Sequence, residues 1–397
     1  MALRAKKMTP MTDAEVNEAV APGMRVAAAW SWRILVVVAV VALVGFVVAL
    51  LRDVTVPVFV AILLAALLVP FKNRLVHAGV PRGLAVAICE VGLLIVIAGL
   101  ITVIVITVRQ GLPELQQQTS VKYQDLLAWV SGEPFNLSAT DLDAYVQQGL
   151  TTLQDSSGTL VSGALSVGTY SLHVVAGALI ALFATLFILI DGAGMFHWIV
   201  RLFPVPARAA VVGAAEAGWI TLKAFVQVQL LVALIDAVGI GLGAFILGQF
   251  YGGFPLVIPI AIAVFLASFI PVVGAVLTGI FAVFVALVFL GPIPALIMLG
   301  IVILVQQVEG HVLQPLLVGN AIKVHPVAVV LGVATGGFVG GIAGALFAVP
   351  LIAVLNVIIG YIARGEWRTN PHPSVADVVP PTRGVLTRSR RGSSVAD

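Results

Sequence analysis

From Ala237 to Val308 the chain carries no Lys, Arg, Asp, Glu or His, and this apolar run ends in a polar cluster of Gln306, Gln307, Glu309 and His311. One spanning helix needs only ~20 apolar residues, so the run crosses or re-enters a bilayer several times. Earlier apolar runs predict helical spans at about 34–51, 54–71 and 84–108, then a fourth span ending at Ile190, where Asp191 and Gly192 close it. Residues 191–218, with Arg201, Pro204, Pro206 and Arg208, read as a loop with a short surface helix, and a fifth span follows at about 219–247.

The segments 255–290 and 326–362 are nearly pure apolar sequence, each broken near its middle. In the first the break is Ile270-Pro271-Val272-Val273-Gly274, and in the second it is Gly336-Gly337-Phe338-Val339-Gly340-Gly341. About 36 helical residues would run ~54 Å, far more than a ~30 Å hydrocarbon core, while two full spans plus a turn would be tight. A short re-entrant arm (near 255–274 and 326–341) followed by a full span fits better. Two ordinary tight hairpins are the alternative. The first reading gives eight spans with 306–325 facing outward; the second gives ten, with that segment in the cytoplasm. Either way the expected class is an all-α integral membrane protein.

Composition agrees, with 60% hydrophobic and only 10% charged residues. The net charge of +3 comes from bases in tails and short loops, which is a topology signal and not a nucleic-acid footprint. Arg25 and Arg33 precede the first span, Lys72, Arg74 and Arg82 separate the second from the third, Arg201 and Arg208 follow the fourth, and arginines from Arg364 onward crowd the C-terminus. All four groups are expected on the cytoplasmic side of a bacterial inner membrane. The first apolar run starts after residue 33, which fits an uncleaved span. The 109–158 insert sets Arg109 and Lys122 against six acidic residues, as expected outside the cytoplasm. Its Leu142, Val146, Leu150 and Leu153 recur at helical spacing behind a capping box of Thr140 and Asp143, predicting a small helical lobe. The expected domains are a tail over 1–33, spans over 34–108, the insert, spans over 159–363, and a disordered basic tail over 364–397. The single Cys89 excludes an internal disulfide. Abundant Gly and Ala faces, together with the insert's uncovered helices, point to a homo-oligomer.

Ionisable groups inside spans are costly and therefore candidate sites. Asp236 lies well inside the fifth span, followed by Gly239, Gly241 and Gly243, and Glu90 and Glu309 complete the acids, with His173, His311 and Lys223 nearer span ends. A carboxylate at 236 can bind a proton or Na⁺, or be a structural Asp held by Ser, Gln or backbone donors. Gln307, His311 and Gln314 share a helix face, with Gln306 and Glu309 beside it and Pro315 ending the helix. This cluster suits a polyhydroxylated solute, or proton exchange with a cation through Glu309 and His311. A polar helix end packed on other protein is the bland reading. No phosphate-binding G-x-x-x-x-G-K-[ST] loop, no H-E-x-x-H zinc site and no G-x-S-x-G serine occur, so neither an ATP-driven pump nor an enzyme is expected, and no cofactor or metal.

Several stretches carry a family resemblance. They are Lys223 to Ile235 (KAFVQVQLLVALI, with Gln229), Ser268 to Gly274 (SFIPVVG), Gln306 to Gly319 (QQVEGHVLQPLLVG), His325-Pro326, and Ala348 to Leu351 (AVPL, with Pro350). Together they resemble the autoinducer-2 exporter family of bacterial permease-like proteins, over about 30–365. The chain departs from the commoner pattern at His311, where Asn is usual, and at Val228, where Gly often precedes the Gln. The resemblance implies transport, as export of autoinducer-2 or as sodium(lithium)/proton antiport. Three functions follow as expectations: a secondary exporter of a small polar solute, a cation/proton antiporter, and a non-transporting membrane scaffold.

Overall fold

The computed structural model describes residues 21–131, 170–254, 256–270, 273–311 and 325–379. The expected lobe helix over 142–153 with its capping box, Pro271, Gln314, Pro315 and the arginines beyond 380 lie outside these residues. Among the described residues every regular element is helical. The chain is an all-α integral membrane protein, and among the described residues seven helices are long and apolar enough to cross a bilayer and two are shorter and apolar.

Helix α1, Pro22–Leu50, forms a unit of its own. Pro22 occupies its first turn, where the missing amide hydrogen has no intrahelical partner to lose. None of its residues is buried, and its apolar side chains face outward all round. A helix uniformly apolar around its circumference is solvated by lipid.

In the larger unit, α2 (Arg52–His77) leads through a turn at 78–81 into α3 (Arg82–Ser131). At 50 residues α3 is ~75 Å long, so the third span continues as one helix into the insert. Helix α4, Tyr170–Arg201, kinks at Asp191, whose φ of −142° and ψ of 44° leave the helical region. Its Oδ1 accepts from the Gly194 amide at 3.0 Å, so Asp191 closes the span and caps a new helical segment. The Lys72 ammonium donates to the Leu189 carbonyl at 3.0 Å, satisfying an end the kink exposes.

The expected loop over 191–218 is overturned. Only residues 202–204 turn, and α5 runs from Val205 to Phe250, 46 residues. Pro204 caps its start and Pro206 falls in its first turn, so the prolines that suggested a loop open a helix. Small residues let three partners reach α5. Gly241 faces Ala261, Gly239 and Gly243 face Val305 and Ile301, and Gly218 faces Val354 and Ile358.

Those partners are α6 (Val257–Ala267), α8 (Pro292–Val308) and α9 (Pro326–Ala363), and α7 (Val273–Leu290) lies between α6 and α8 in the chain. α6 and α7 form a hairpin with a short first arm, since 11 residues reach ~16 Å. α9 is two arms meeting at Gly341, with φ of 61° and ψ of −146°. That backbone region is essentially reserved for glycine. The arms fold back so closely that a Cβ on Gly344 would overlap the Gly336 carbonyl. Buried hydroxyls of Thr185, Thr221 and Thr278 donate to carbonyls four residues back, leaving the packed faces apolar.

The basic tail is not disordered from residue 364. Residues 365–379 fold back on α5 as a strap. A 3-10 turn at Glu366–Arg368 and α10 (Val375–Val378) place Trp367 and Val378 on Ala214, Ala217 and Tyr361. Tyr361 donates to the Asn370 carbonyl, and His372 Nδ1 lies 3.1 Å from Glu216. The Asp377 carboxyl is held below the ordinary aspartate range by the Ser374 hydroxyl at 2.7 Å, the Ser374 amide at 2.8 Å and the Asn370 side chain at 3.1 Å.

Two outcomes follow. Gly341→Ala and Gly344→Ala should each cost about 1–3 kcal/mol through backbone strain or overlap, seen as a lower thermal midpoint in detergent. Gly300→Ala should be neutral or stabilising, because nothing lies within 4 Å of its added Cβ. For the strap, a depressed folded-state pKa means that Asp377 contributes fully above its unfolded value of ~3.9 and loses that contribution as pH falls below it. Amide exchange protection over 370–379, corrected for intrinsic rate, should hold from pH 7 to about 4.5 and drop below about 4. Asp377→Asn should lower it at neutral pH and remove that acid step.

Candidate substrate and ion pathway

The middle of α5 is where the broken segments meet. Gln229 and Asp236, seven residues apart, share one helix face. The tip of the α6–α7 hairpin, Ser268–Ile270, docks on that face. The Ser268 hydroxyl donates to Asp236 Oδ2 at 3.1 Å, and Gln229 Nε2 donates to the Ser268 carbonyl at 2.6 Å. This carbonyl belongs to the last turn of α6, where no intrahelical donor remains, so Gln229 supplies one from the next helix. Asp236 is only 1% exposed, and its Oδ1 has no hydrogen-bond partner among the described residues.

Ile270, at the same tip, packs on a cluster that includes Phe225 and Val226 of α5, Val333 and Ala345 from the two arms of α9, and Ala66 of α2. The hairpin of α9 therefore closes on the same stretch of α5 from another side. Gly274 is needed for the first turn, because a Cβ there would overlap the Ala267 carbonyl. Of the expected breaks in α9, only Gly341 leaves helical geometry. Gly336 serves as the close-approach point, Gly337 makes an ordinary contact with Ala345, and Gly340 faces open space.

Pro350 lies within α9 without breaking it. Its fixed φ suits a helix, and its neighbours Ala348 and Val349 are packed on α5, which holds the helix through the missing hydrogen bond.

The second set of candidates ends α8. Its contacts with α5 are antiparallel, Ile301 against Gly243 and Val305 against Gly239. Three residues further, this register sets Val308 level with Asp236, one residue before Glu309. The helix widens into a π-turn over Glu309–His311. His311 Nδ1 sits 3.2 Å from the Gln307 carbonyl, which confirms their shared face, and both side chains are exposed. Gln306 and Glu309 are half-buried, and Gln306 Nε2 has no partner among the described residues. The two candidate sets thus lie at one depth.

Ser268 was legible in the sequence only as part of a motif, and its role depends on a contact 32 residues away in the chain. Glu90 is the other residue the structure promotes, since both of its carboxylate oxygens are buried without a hydrogen-bond partner among the described residues. Among the described residues no cluster of His, Cys, Asp and Glu is placed to hold a metal ion.

Broken apolar helices docked around a buried carboxylate define a polytopic membrane protein with the build of a transporter. The chain belongs to the AI-2E family of transporters, whose family model matches residues 34–364. It is 36% identical over 362 residues to a putative transport protein, MT0215, of Mycobacterium tuberculosis (strain CDC 1551 / Oshkosh), covering 91% of this chain and 96% of the relative. The putative transport protein YueF of Bacillus subtilis (strain 168) is 28% identical over 73% of this chain and 79% of its own length. The AI-2 transport protein TqsA of Escherichia coli (strain K12) is 23% identical over 79% of this chain and 88% of its own length.

Gln229→Leu should lower the thermal midpoint of the purified protein by an amount equivalent to about 1–3 kcal/mol, the cost of leaving the Ser268 carbonyl unsatisfied. A nearby exposed change, Gln227→Leu, should leave it within error.

Proposed function

We propose that this protein is a secondary transporter that exports a small polar solute across the bacterial inner membrane, with both termini cytoplasmic, as a homo-oligomer. The observation that carries the reading is the latch of Gln229, Ser268 and Asp236 between a continuous helix and the tip of a broken one. The short first arms of the α6–α7 and α9 hairpins are re-entrant in this reading. Non-helical backbone at membrane depth is tolerated where it is covered by protein or lines a water-filled path. Opening the latch exposes the Ser268 carbonyl, the Asp236 carboxylate and the Gln229 amide together, a set of donors and acceptors suited to hydroxyl-bearing solutes. The resemblance to TqsA, named for AI-2 transport, supports autoinducer-2 as the first solute to test.

Asp236 also favours a second reading, cation/proton antiport. Its unpartnered Oδ1 is where a proton or a Na⁺ would bind, and neutralising the carboxylate changes its hold on the Ser268 hydroxyl. Occupancy at Oδ1 would then be tied to the position of the hairpin tip.

Proteoliposomes holding the full chain separate the two. Export predicts uptake of labelled autoinducer-2 into inverted vesicles, reduced at least tenfold by Asp236→Asn and less by Ser268→Ala. Antiport predicts dissipation of an imposed ΔpH on adding Na⁺ or Li⁺, abolished by Asp236→Asn. If neither flux exceeds that of protein-free vesicles, the transport assignment for these solutes fails.

A further inference from the structure

A cavity of about 900 Å³ lies away from the latch, beside the 78–81 turn and the Asp191 kink. It is walled by α2, α3, the kink of α4, the start of α5 and the second arm of α9. This size suits a drug-sized organic molecule. Trp219, Phe196, Leu222 and Ile358 supply apolar walls.

Its charges are unequal in their availability. Of the acids, Glu216 is engaged by His372 of the strap and Asp191 by the Gly194 amide. Of the bases, Lys72 gives one donor to the Leu189 carbonyl and keeps two. Arg82 has no hydrogen-bond or ion-pair partner among the described residues, so its whole guanidinium fork is uncommitted. His77 and His197 both turn Nδ1 onto a carbonyl four residues back, Asn73 and Ala193. Uncommitted donors on an apolar-walled cavity match one ligand chemistry, an oxyanion carried on a small apolar body.

We infer that this cavity binds an organic oxyanion, a carboxylate or phosphate, with Arg82 as its anchor and Lys72 as the second cation. Guanidinium and oxyanion pair through parallel N–H···O bonds, the Lys72 ammonium adds a point charge, and Trp219 with Phe196 covers the apolar body. The same chemistry is presented by a soluble organic anion and by the headgroup of an anionic lipid.

The test uses the full chain in nanodiscs of phosphatidylcholine, titrated calorimetrically with phenyl phosphate and, as the uncharged counterpart, phenyl β-glucoside. Saturable binding of phenyl phosphate alone is expected, weakened at least tenfold by Arg82→Gln and about threefold by Lys72→Gln, whose amide still serves the Leu189 carbonyl. Arg208→Gln, which removes a guanidinium bonded to the Phe203 and Arg201 carbonyls, should leave affinity unchanged. Nanodiscs containing phosphatidylglycerol form the second arm. If phenyl phosphate does not bind but this lipid raises the thermal midpoint of the unmodified protein and not of the Arg82→Gln variant, the oxyanion is a lipid headgroup. Equal behaviour of the unmodified protein and a monodisperse Arg82→Gln variant in both arms overturns the inference, as does equal affinity for the glucoside. Because the readout is binding and not flux, failure here leaves the transport reading standing, and failure of flux leaves this one.

Discussion

Where a helix breaks inside a bilayer, its freed carbonyls and amides have no water to turn to, and each costs several kcal/mol unless protein supplies a partner. The arrangement around α5 answers that constraint. α5 is continuous, so its own backbone is satisfied, and its side chains are available for the interrupted segments. Gln229 takes the orphan carbonyl of Ser268, and Asp236 takes its hydroxyl. The tip of α9 solves the problem differently, with glycine at Gly341 making the turn and Gly336 and Gly344 bringing the two arms into backbone contact.

The solution at Ser268 is incomplete by one atom. Elsewhere in the packed faces the buried hydroxyls close on their own helix, as Thr221 does on the Ala217 carbonyl. Asp236 instead keeps Oδ1 without a partner among the described residues while nearly fully buried. A structural aspartate would be expected to satisfy both oxygens, since a buried unpaired acceptor costs about 1–3 kcal/mol. The exception stands where two broken segments converge, and local rules are most often broken at functional places.

The sequence made the fold class plain, because an uncharged run from Ala237 to Val308 has no soluble solution. Gly341 turns the chain through a positive φ, and Gly274 admits the close approach of the Ala267 carbonyl. The sequence misplaced the start of α5, because Pro204 and Pro206 suit a loop and a helix's first turn equally well and only the packing of Gly213 and Gly218 on α9 decides. It missed the strap for a similar reason. Residues 365–379 are polar and proline-bearing, and their order comes from Tyr361, Glu216 and a local capping box, contacts that composition does not show. Asp236 and Gln229 stood out as polar residues in an apolar span, whereas Ser268 did not, since a serine between Ala267 and Phe269 has no distinguishing neighbour.

The uniformly apolar surface of α1 bears on how such a protein reaches its membrane. Leu, Ile, Phe and Val each favour insertion by roughly 0.3–0.6 kcal/mol at a helix centre, whereas an Asp opposes it by roughly 2.5–3.5 kcal/mol. A helix with an 18-residue stretch of mean hydropathy 2.9 needs no tertiary partner to enter lipid. It emerges from the ribosome before α5, so the growing chain is already membrane-bound when the segment bearing Asp236 is made. The partner that accommodates that carboxylate, Ser268, is synthesised only 32 residues later. Until then the burden of holding α5 in the bilayer falls on its apolar neighbours, and biogenesis as well as transport constrains how polar its central face can be.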